Sequence, residues 1–356
     1  AAQIPLAATH KGRQKLSVYT ERDGLSDEIW SAVDVDARGI AWAGSASGLA
    51  RFDGYRWTLW PTPEARSLVR DLAHDPRGNL WAIFEREGLA ELDGDVWRLH
   101  AQPAMFMYGF SAEAGGAGPR ELLVAHNGPI WQWQDGEFRP GPIEVPAGTA
   151  AAIRMARTET LFGSPRMWMA TTEGLWFRSP DPAAAGHWER FDDPRLRVFN
   201  STDLLRTNDG SAEELWVLSY GSGIVRIRDD GIRAWRAETG ELPTEAIYGA
   251  RATHTREGER LLWIASRAGL LLLRRDQVRV FDRRHGLPSD AVRAVEVQRD
   301  VDGIDLLWLA TEGGIVRATL GHNQWQTLSL LGARENGIFG LLLEPDGRGG
   351  ERLWVG

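Results

Sequence analysis

Eight regularly spaced positions in the chain carry residue types suited to ligand binding. Each follows the first apolar residue of a short β-rich segment, and each is aromatic or arginine. Arginine holds anionic groups through charge-assisted hydrogen bonds, and aromatic rings pack against flat or apolar faces. A ligand with a flat face and an anionic group would suit such a set. The predicted ligand-binding residues are Trp30, Arg70, Tyr108, Arg154, Phe199, Tyr248, Arg293 and Phe339.

Other residues with catalytic or metal-binding potential lack the spacing that their chemistry requires. The chain has no cysteine, which excludes disulfides and thiolate metal sites. Its eight histidines form no H-x-H or H-x-x-x-H pair, and the segment DVDGID at 300–305 departs from the glycine position of a calcium loop. Serine and glycine clusters lack the strand–turn–helix context of a nucleophile or a phosphate loop. We therefore expect no metal, no cofactor and no enzymatic activity.

The elements that position the eight residues belong to a sequence repeat. The phrase LARFDGYRW at 49–57 returns as LAELDGDVW at 89–97, and a short run centred on tryptophan or leucine recurs at steps of 39 to 48 residues. A glycine followed by an apolar residue or proline comes shortly after all but the last of these markers, and an aromatic residue follows. The marker positions are Trp42, Trp81, Leu123, Trp168, Trp216, Trp263, Trp308 and Trp354.

Each repeat predicts four short β-strands joined by polar or glycine-containing turns. Asp-Gly pairs such as 53–54 and 93–94 favour tight hairpins, because glycine accepts a positive φ at little cost. No apolar helical periodicity persists along the chain. Four strands per repeat of this length indicate an all-β fold, a β-propeller of four-stranded blades. We interpret the marker tryptophans as core residues between blades.

The closure of the ring has two interpretations. Seven repeats are complete, whereas the eighth, at 336–356, stops after its second strand. We favour eight blades, in which the segments IPLA and KLSVYT near the N-terminus supply the missing third and fourth strands, and a single domain over 1–356. The alternative is a seven-bladed ring whose last residues begin a second propeller.

The same fold leaves two interpretations of the eight aromatic and arginine positions. The first strand of each blade lines the central channel, so one strand register would place all eight side chains around its mouth. They would then form a funnel that binds a ligand. Alternatively, they plug the mouth or wedge between blades without a ligand.

Composition limits the classes of partner. The net charge is −8, which disfavours nucleic acids and anionic membrane surfaces because both require a basic patch. No apolar run is long enough to cross a bilayer. The start AAQIP is compatible with cleavage of a leader, and the lack of cysteine suits an oxidising compartment.

The segment YTERDGLSDEIWSAVDVDARGIAWAGSASGLARFDGYRW at 19–57 resembles the two-component regulator propeller repeat. The likeness recurs in RRHGLPSDAVRAVEV at 283–297 and extends more loosely along the chain. It implies a periplasmic sensor domain of a bacterial histidine kinase or diguanylate cyclase, with the output module encoded beyond residue 356. The expected ligand is a small molecule, anionic or glycan-derived. The sequence is compatible with a dimer but does not establish one.

Two other function classes compete with the sensor. One is a platform for protein interaction or assembly without a small ligand. The other is a propeller enzyme similar to streptogramin lyases, for which no matching histidine, glutamate and metal constellation can be placed in this sequence.

Overall fold

The chain forms two compact units, which are described separately: Leu16–Leu320, and Ala1–Lys15 with Gly321–Gly356. The computed structural model describes residues 16–26, 29–36, 38–46, 48–62, 68–75, 78–85, 88–100, 110–112, 122–125, 130–134, 137–140, 154–158, 160–171, 174–179, 188–196, 200–208, 212–255, 258–299, 305–319, 341–345 and 351–355. No helix among these residues is long and apolar enough to span a membrane.

The first three sheets of the larger unit are antiparallel meanders of four strands. Sheet 1 contains β2 (Trp30–Val35), β3 (Ala41–Ser45), β4 (Gly48–Phe52) and β5 (Trp57–Trp60). Sheet 2 contains β6 (Val69–His74), β7 (Leu80–Phe84), β8 (Gly88–Asp93) and β9 (Val96–Leu99). Sheet 3 contains β10 (Phe110–Ala112), β11 (Leu122–Ala125), β12 (Ile130–Gln134) and β13 (Glu137–Pro140).

The next three sheets repeat this arrangement. Sheet 4 contains β14 (Arg154–Thr158), β15 (Arg166–Thr171), β16 (Gly174–Arg178) and β17 (Glu189–Arg190). Sheet 5 contains β18 (Ser201–Asn208), β19 (Glu213–Ser219), β20 (Gly223–Arg228) and β21 (Gly231–Trp235). Sheet 6 contains β22 (Ile247–His254), β23 (Arg260–Ser266), β24 (Gly269–Arg274) and β25 (Gln277–Phe281).

Sheet 7 joins the two ends of the larger unit. It contains β26 (Val292–Arg299), β27 (Asp305–Thr311) and β28 (Gly314–Thr319), and β1 (Leu16–Tyr19) pairs antiparallel with β28 as its outer strand. The first strands of successive sheets contact one another, and β2 contacts both β6 and β26. The described residues of this unit thus form a closed ring of seven four-stranded sheets, and the β-propeller class is confirmed.

The predicted pairing at the closure is wrong. The segment KLSVYT was expected to join the strands at 336–356, but its residues Leu16–Tyr19 complete sheet 7 instead. Sheet 1 packs directly on β26 and β27, so an eighth sheet does not intervene between sheets 7 and 1. The reason is that sheet 7 already holds three strands of its own and lacks only the outer one. The segment IPLA lies outside the described residues.

The smaller unit is described only as a hairpin. Strand β29 (Leu341–Pro345) pairs antiparallel with β30 (Glu351–Val355). The single domain over 1–356 and the second propeller both stay predictions.

The marker tryptophans fill the space between sheets, as the repeat predicts. All six that lie in the larger unit are buried, and all except Trp81 belong to hydrophobic clusters formed by adjacent sheets. A polar side chain at the end of the first strand accepts the indole N–H, as Thr207 does from Trp216 at 2.9 Å and Gln298 from Trp308 at 2.8 Å. The buried ring is thereby hydrogen-bonded, which avoids the cost of an unpaired donor.

Among the described residues, four short 3₁₀ helices lie between strands, and two of them explain the repeated sequence in DGL and HGL. They span Glu21–Asp23, Leu161–Gly163, Pro194–Leu196 and Arg283–His285. Gly24 and Gly286 end the first and last with a φ of 97°, and the following residues Leu25 and Leu287 are buried. The glycine reverses the chain so that the leucine can anchor it in the core.

Candidate functional site

A β-bulge recurs at the start of the first strand in five sheets. The register between the first and second strands shifts by one residue there, so a single residue of the first strand is left unpaired. Such a bulge bends the strand and redirects the side chain of the extra residue. The bulge residues are Ser31, Arg70, Thr202, Tyr248 and Arg293.

Three of the eight predicted ligand-binding residues share this position: Arg70, Tyr248 and Arg293. Trp30 does not, because it precedes the bulge and pairs with Ser45. Its side chain is 1% exposed within the core between sheets 1 and 7. The equivalent position in sheet 1 belongs to Ser31, whose hydroxyl donates a hydrogen bond of 2.7 Å to the Val69 carbonyl of sheet 2.

Sheets 4 and 5 also depart from the predicted alignment. Arg154 pairs with Ala170, which places it one step beyond the bulge position, in register with Asp71 and Asp203 of other sheets. Sheet 5 presents Thr202 at its bulge, where the sequence had indicated Phe199. The predicted residues Tyr108, Phe199 and Phe339 lie outside the described residues.

The hairpins between second and third strands lie at the same end of the sheets as the bulges. Val69 pairs with Phe84, the last residue of β7, and Val292 pairs with Thr311, the last residue of β27. Residues that follow these strands therefore lie beside the bulge residues. We call this end of the ring the mouth, and its described hairpins add Glu85, Tyr220, Arg267 and Glu312.

Two arginines at the mouth each form an ion pair with the glutamate that follows the second strand of the same sheet. The Arg70 guanidinium pairs with Glu85 in sheet 2, and the Arg293 guanidinium pairs with Glu312 in sheet 7. All four side chains are partly exposed, and exposed pairs contribute only about 0–1 kcal/mol to stability. Each carboxylate occupies a place that an anionic ligand group could take.

Aromatic rings and cations meet on one side of the mouth. The Arg293 guanidinium lies 4.7 Å from the centroid of the Tyr248 ring, and the Tyr220 ring lies 5.9 Å from Tyr248. Arg267 and Glu312 are near enough to act electrostatically on Tyr248. We call Tyr220, Tyr248, Arg267, Arg293 and Glu312 the tyrosine–arginine cluster.

The electrostatics of this cluster favour hydrogen-bond donation. Burial raises the pKa of the Tyr248 hydroxyl, although the Arg293 charge opposes the rise, so the phenol remains a donor at neutral pH. The Arg293 Nε is buried and finds no hydrogen-bond partner within the described part of the chain. A buried donor without a partner costs about 1–3 kcal/mol, and a bound acceptor would remove that cost.

A charged network lies deeper along the first strands, and sequence reasoning missed it. The Arg251 Nε donates to Glu296 at 2.8 Å, and its Nη1 lies 3.6 Å from Asp203. Glu296 and Asp203 raise the pKa of Arg251 above its usual range. The network joins sheets 5, 6 and 7 below the mouth. The sequence could have indicated this network, because Asp203, Arg251 and Glu296 each lie within four residues after a bulge residue.

The mouth lacks the features of a metal site in the residues that can be placed. No group of three or more histidine, aspartate or glutamate side chains in the described ranges could hold a metal ion. The expectations of no metal and no cofactor stay predictions.

Comparison with known proteins identifies the architecture. No protein-family model matches the chain, and no curated protein is significantly similar to it. Virginiamycin B lyase from Staphylococcus aureus has a similar structure, with a TM-score of 0.62 and 16% identity over 86% of this chain and 99% of that chain.

A second similar structure is the extracellular domain of a putative hybrid two-component system from B. thetaiotaomicron. It has a TM-score of 0.62 and 16% identity over 97% of this chain, which spans only 47% of that chain. The WD40 propeller domain of Doa1 has a TM-score of 0.56 and 11% identity. At these identities the comparisons establish the propeller fold alone.

Proposed function

We propose that this propeller is the extracytoplasmic sensor domain of a bacterial signal-transduction protein and that its mouth binds a small anionic ligand. The repeat resemblance supports this assignment, as does the structural similarity to the extracellular domain of a putative hybrid two-component system. An output kinase or diguanylate cyclase module and a dimeric state belong to the same proposal.

The tyrosine–arginine cluster is the observation that carries the ligand site. It presents two aromatic faces, two cations and one carboxylate on neighbouring sheets. A flat ring of the ligand would pack on Tyr220 and Tyr248, and its anionic group would replace Glu312 beside Arg293. The redirected bulge residues supply binding groups without altering the paired core strands.

Affinity for a screened ligand tests the site. A thermal-shift screen of sugar acids and aromatic carboxylates identifies a ligand, and calorimetry then compares wild type with Arg293→Gln. Loss of a charge-assisted hydrogen bond, about 1.5–3 kcal/mol, should weaken binding about 10- to 100-fold.

The matched control is Arg279→Gln. Arg279 also stacks on an aromatic ring, with its guanidinium 4.8 Å from the Phe281 centroid, but it lies on the outer strand of sheet 6. Equal losses of affinity in the two variants, or none in either, would rule out the tyrosine–arginine cluster as the site.

We further propose that the chain is not a lyase, although lyases share its architecture. The described mouth residues supply serine, threonine, tyrosine, arginine and glutamate but no histidine for acid–base chemistry. Incubation with quinupristin, the compound bound in one lyase structure, should leave the chromatographic retention time of that compound unchanged. A new product peak that forms faster than in a heat-treated control would contradict this.

A further inference from the structure

An open cleft lies between sheets 5 and 6 at the end opposite the mouth. Gly258 and Glu259 border it between the first and second strands of sheet 6, and Arg275 and Asp276 border it between the third and fourth strands. The mouth hairpins, in contrast, join second to third strands. The cleft has a volume of about 690 Å³. Its lining residues are Arg226, Arg228, Gly258, Glu259, Arg260, Arg274, Arg275 and Asp276.

Five arginines converge on this cleft from two sheets of an acidic protein. Glu214 lies beneath them with 0% of its side chain exposed, and its carboxylate is 2.7 Å from the Arg260 Nε and 3.3 Å from an Arg228 nitrogen. Asp230 at the exposed rim lies 3.3 Å from the Arg228 Nε. The deep part of the cleft therefore contains more guanidinium groups than carboxylates.

The other two carboxylates are engaged by arginines at the rim. Glu259 accepts hydrogen bonds of 2.6 Å from Arg274 and 2.7 Å from Arg275, and these bonds lower its pKa. Asp276 accepts a hydrogen bond of 2.9 Å from Arg233, which does not line the cleft. Glu259 is thus held at the rim, whereas Asp276 is shared, because its other oxygen lies 3.5 Å from an Arg226 nitrogen.

Arg226 contributes a buried donor and an aromatic-stacked guanidinium to the cleft. Its guanidinium lies 5.8 and 5.6 Å from the ring centroids of Trp216 and Trp235. The nearest carboxylate oxygens, on Asp276 and Glu214, are 3.5 and 3.7 Å away, and its buried Nε has no hydrogen-bond partner among the described residues. Stacking orients the guanidinium plane, and the Nε–H is available to a ligand.

We propose that this cleft is a second ligand site, which binds the phosphate group of a small organic phosphate. A tetrahedral oxyanion has enough acceptor oxygens to bond Arg226, Arg228 and Arg260 together, whereas a planar carboxylate suits a single guanidinium fork. The cleft is far larger than one phosphate, so its outer part accommodates the organic portion of the ligand. The site is independent of the mouth and of the sensor assignment.

Calorimetry with inorganic phosphate tests the proposal on the full 356-residue chain. The probe binds wild type and binds Arg226→Gln at least 10-fold more weakly. Malonate, a dicarboxylate of similar charge, binds wild type several-fold more weakly than phosphate. No detectable phosphate binding at millimolar concentration, or equal affinity for malonate, overturns the proposal.

Arg317→Gln is the matched control. Arg317 occupies the same repeat position in sheet 7, where its guanidinium lies 5.5 Å from the Trp308 centroid. Its Nε is likewise buried, with no hydrogen-bond partner in the part of the chain that the structure describes. This variant loses the same charge and stacking but lies outside the cleft, so its phosphate affinity stays within about 2-fold of wild type. Equal weakening in both variants would show a general charge effect and overturn the proposal.

A third variant keeps the test decisive if Arg226→Gln fails to fold. Arg275 is 81% exposed at the cleft rim, so its replacement by glutamine should spare the core. Arg275→Gln should weaken phosphate binding about 3-fold, with an unchanged thermal midpoint. Wild-type affinity in this variant would then count against the cleft.

Discussion

The strand that closes the ring carries one aromatic side chain whose removal has a calculable cost. Tyr19 on β1 lies 5.0 Å from Phe52, 6.1 Å from Trp57 and 6.2 Å from Trp308, measured between ring centroids. An aromatic pair contributes about 0.5–1.5 kcal/mol beyond area burial. Three pairs therefore predict that Tyr19→Ala lowers the free energy of unfolding by about 1.5–4.5 kcal/mol.

Urea unfolding followed by tryptophan fluorescence measures this loss. Tyr55→Ala is the matched control, because Tyr55 is 92% exposed and surface substitutions usually change stability by less than about 0.5 kcal/mol. If β1 were not part of sheet 7, the two variants would unfold at the same urea concentration. That equality would refute the closure described here.

Three further outcomes are expected. Gly24→Ala should lower the thermal midpoint more than Gly54→Ala. Both glycines have a φ near +100°, but a Cβ at Gly24 would lie 2.1 Å from the Trp57 carbonyl oxygen, whereas Gly54 faces open space. Equal thermal midpoints in the two variants would contradict this. Hydrogen bonds from the Arg284 side chain, and to a lesser extent from His285, lower the pKa of Asp282. The ionised Asp282 therefore stabilises the folded protein fully above the unfolded pKa of about 4, and this stabilisation is lost as the pH falls below that value. Asp282→Asn should flatten the decline of the thermal midpoint between about pH 5 and 3. Dialysis against EDTA should leave the thermal midpoint unchanged, and a large fall would reveal a metal site.

The fold was largely predictable because its signals are local and repeated. The marker tryptophans of the larger unit are spaced along the chain and are buried, and the Gly-Leu steps at 48–49 and 88–89 and the Asp-Gly steps at 53–54 and 93–94 mark hairpins. Closure was not predictable in the same way. Whether Leu16–Tyr19 pairs with β28 or with a later strand depends on contacts nearly 300 residues apart, which no local pattern specifies.

The sequence indicated which residue types lie at the candidate site, but it did not indicate the strand register that positions them. Aligning each strand on its first apolar residue put Arg70, Tyr248 and Arg293 at one strand position, which the bulge gives them, but Trp30 precedes that position by one residue. A bulge inserts one residue without a sequence signature of its own, and a shift of one residue exchanges the two faces of a strand. Trp30 therefore faces the core, and Ser31 takes the bulge.

The bulge also explains how one backbone design can carry different binding chemistry. The residues before it pair with the second strand and are buried, and four of the five are apolar: Trp30, Val69, Ile247 and Val292, with Ser201 in sheet 5. The bulge residue makes no ladder pair, and in the described sheets it is serine, threonine, tyrosine or arginine. We therefore expect substitution of the bulge residue to change the mouth while the paired strands persist, even at Tyr248, whose ring also packs against the core. If the mouth binds a ligand as proposed, its specificity is set at the positions where the repeat is interrupted.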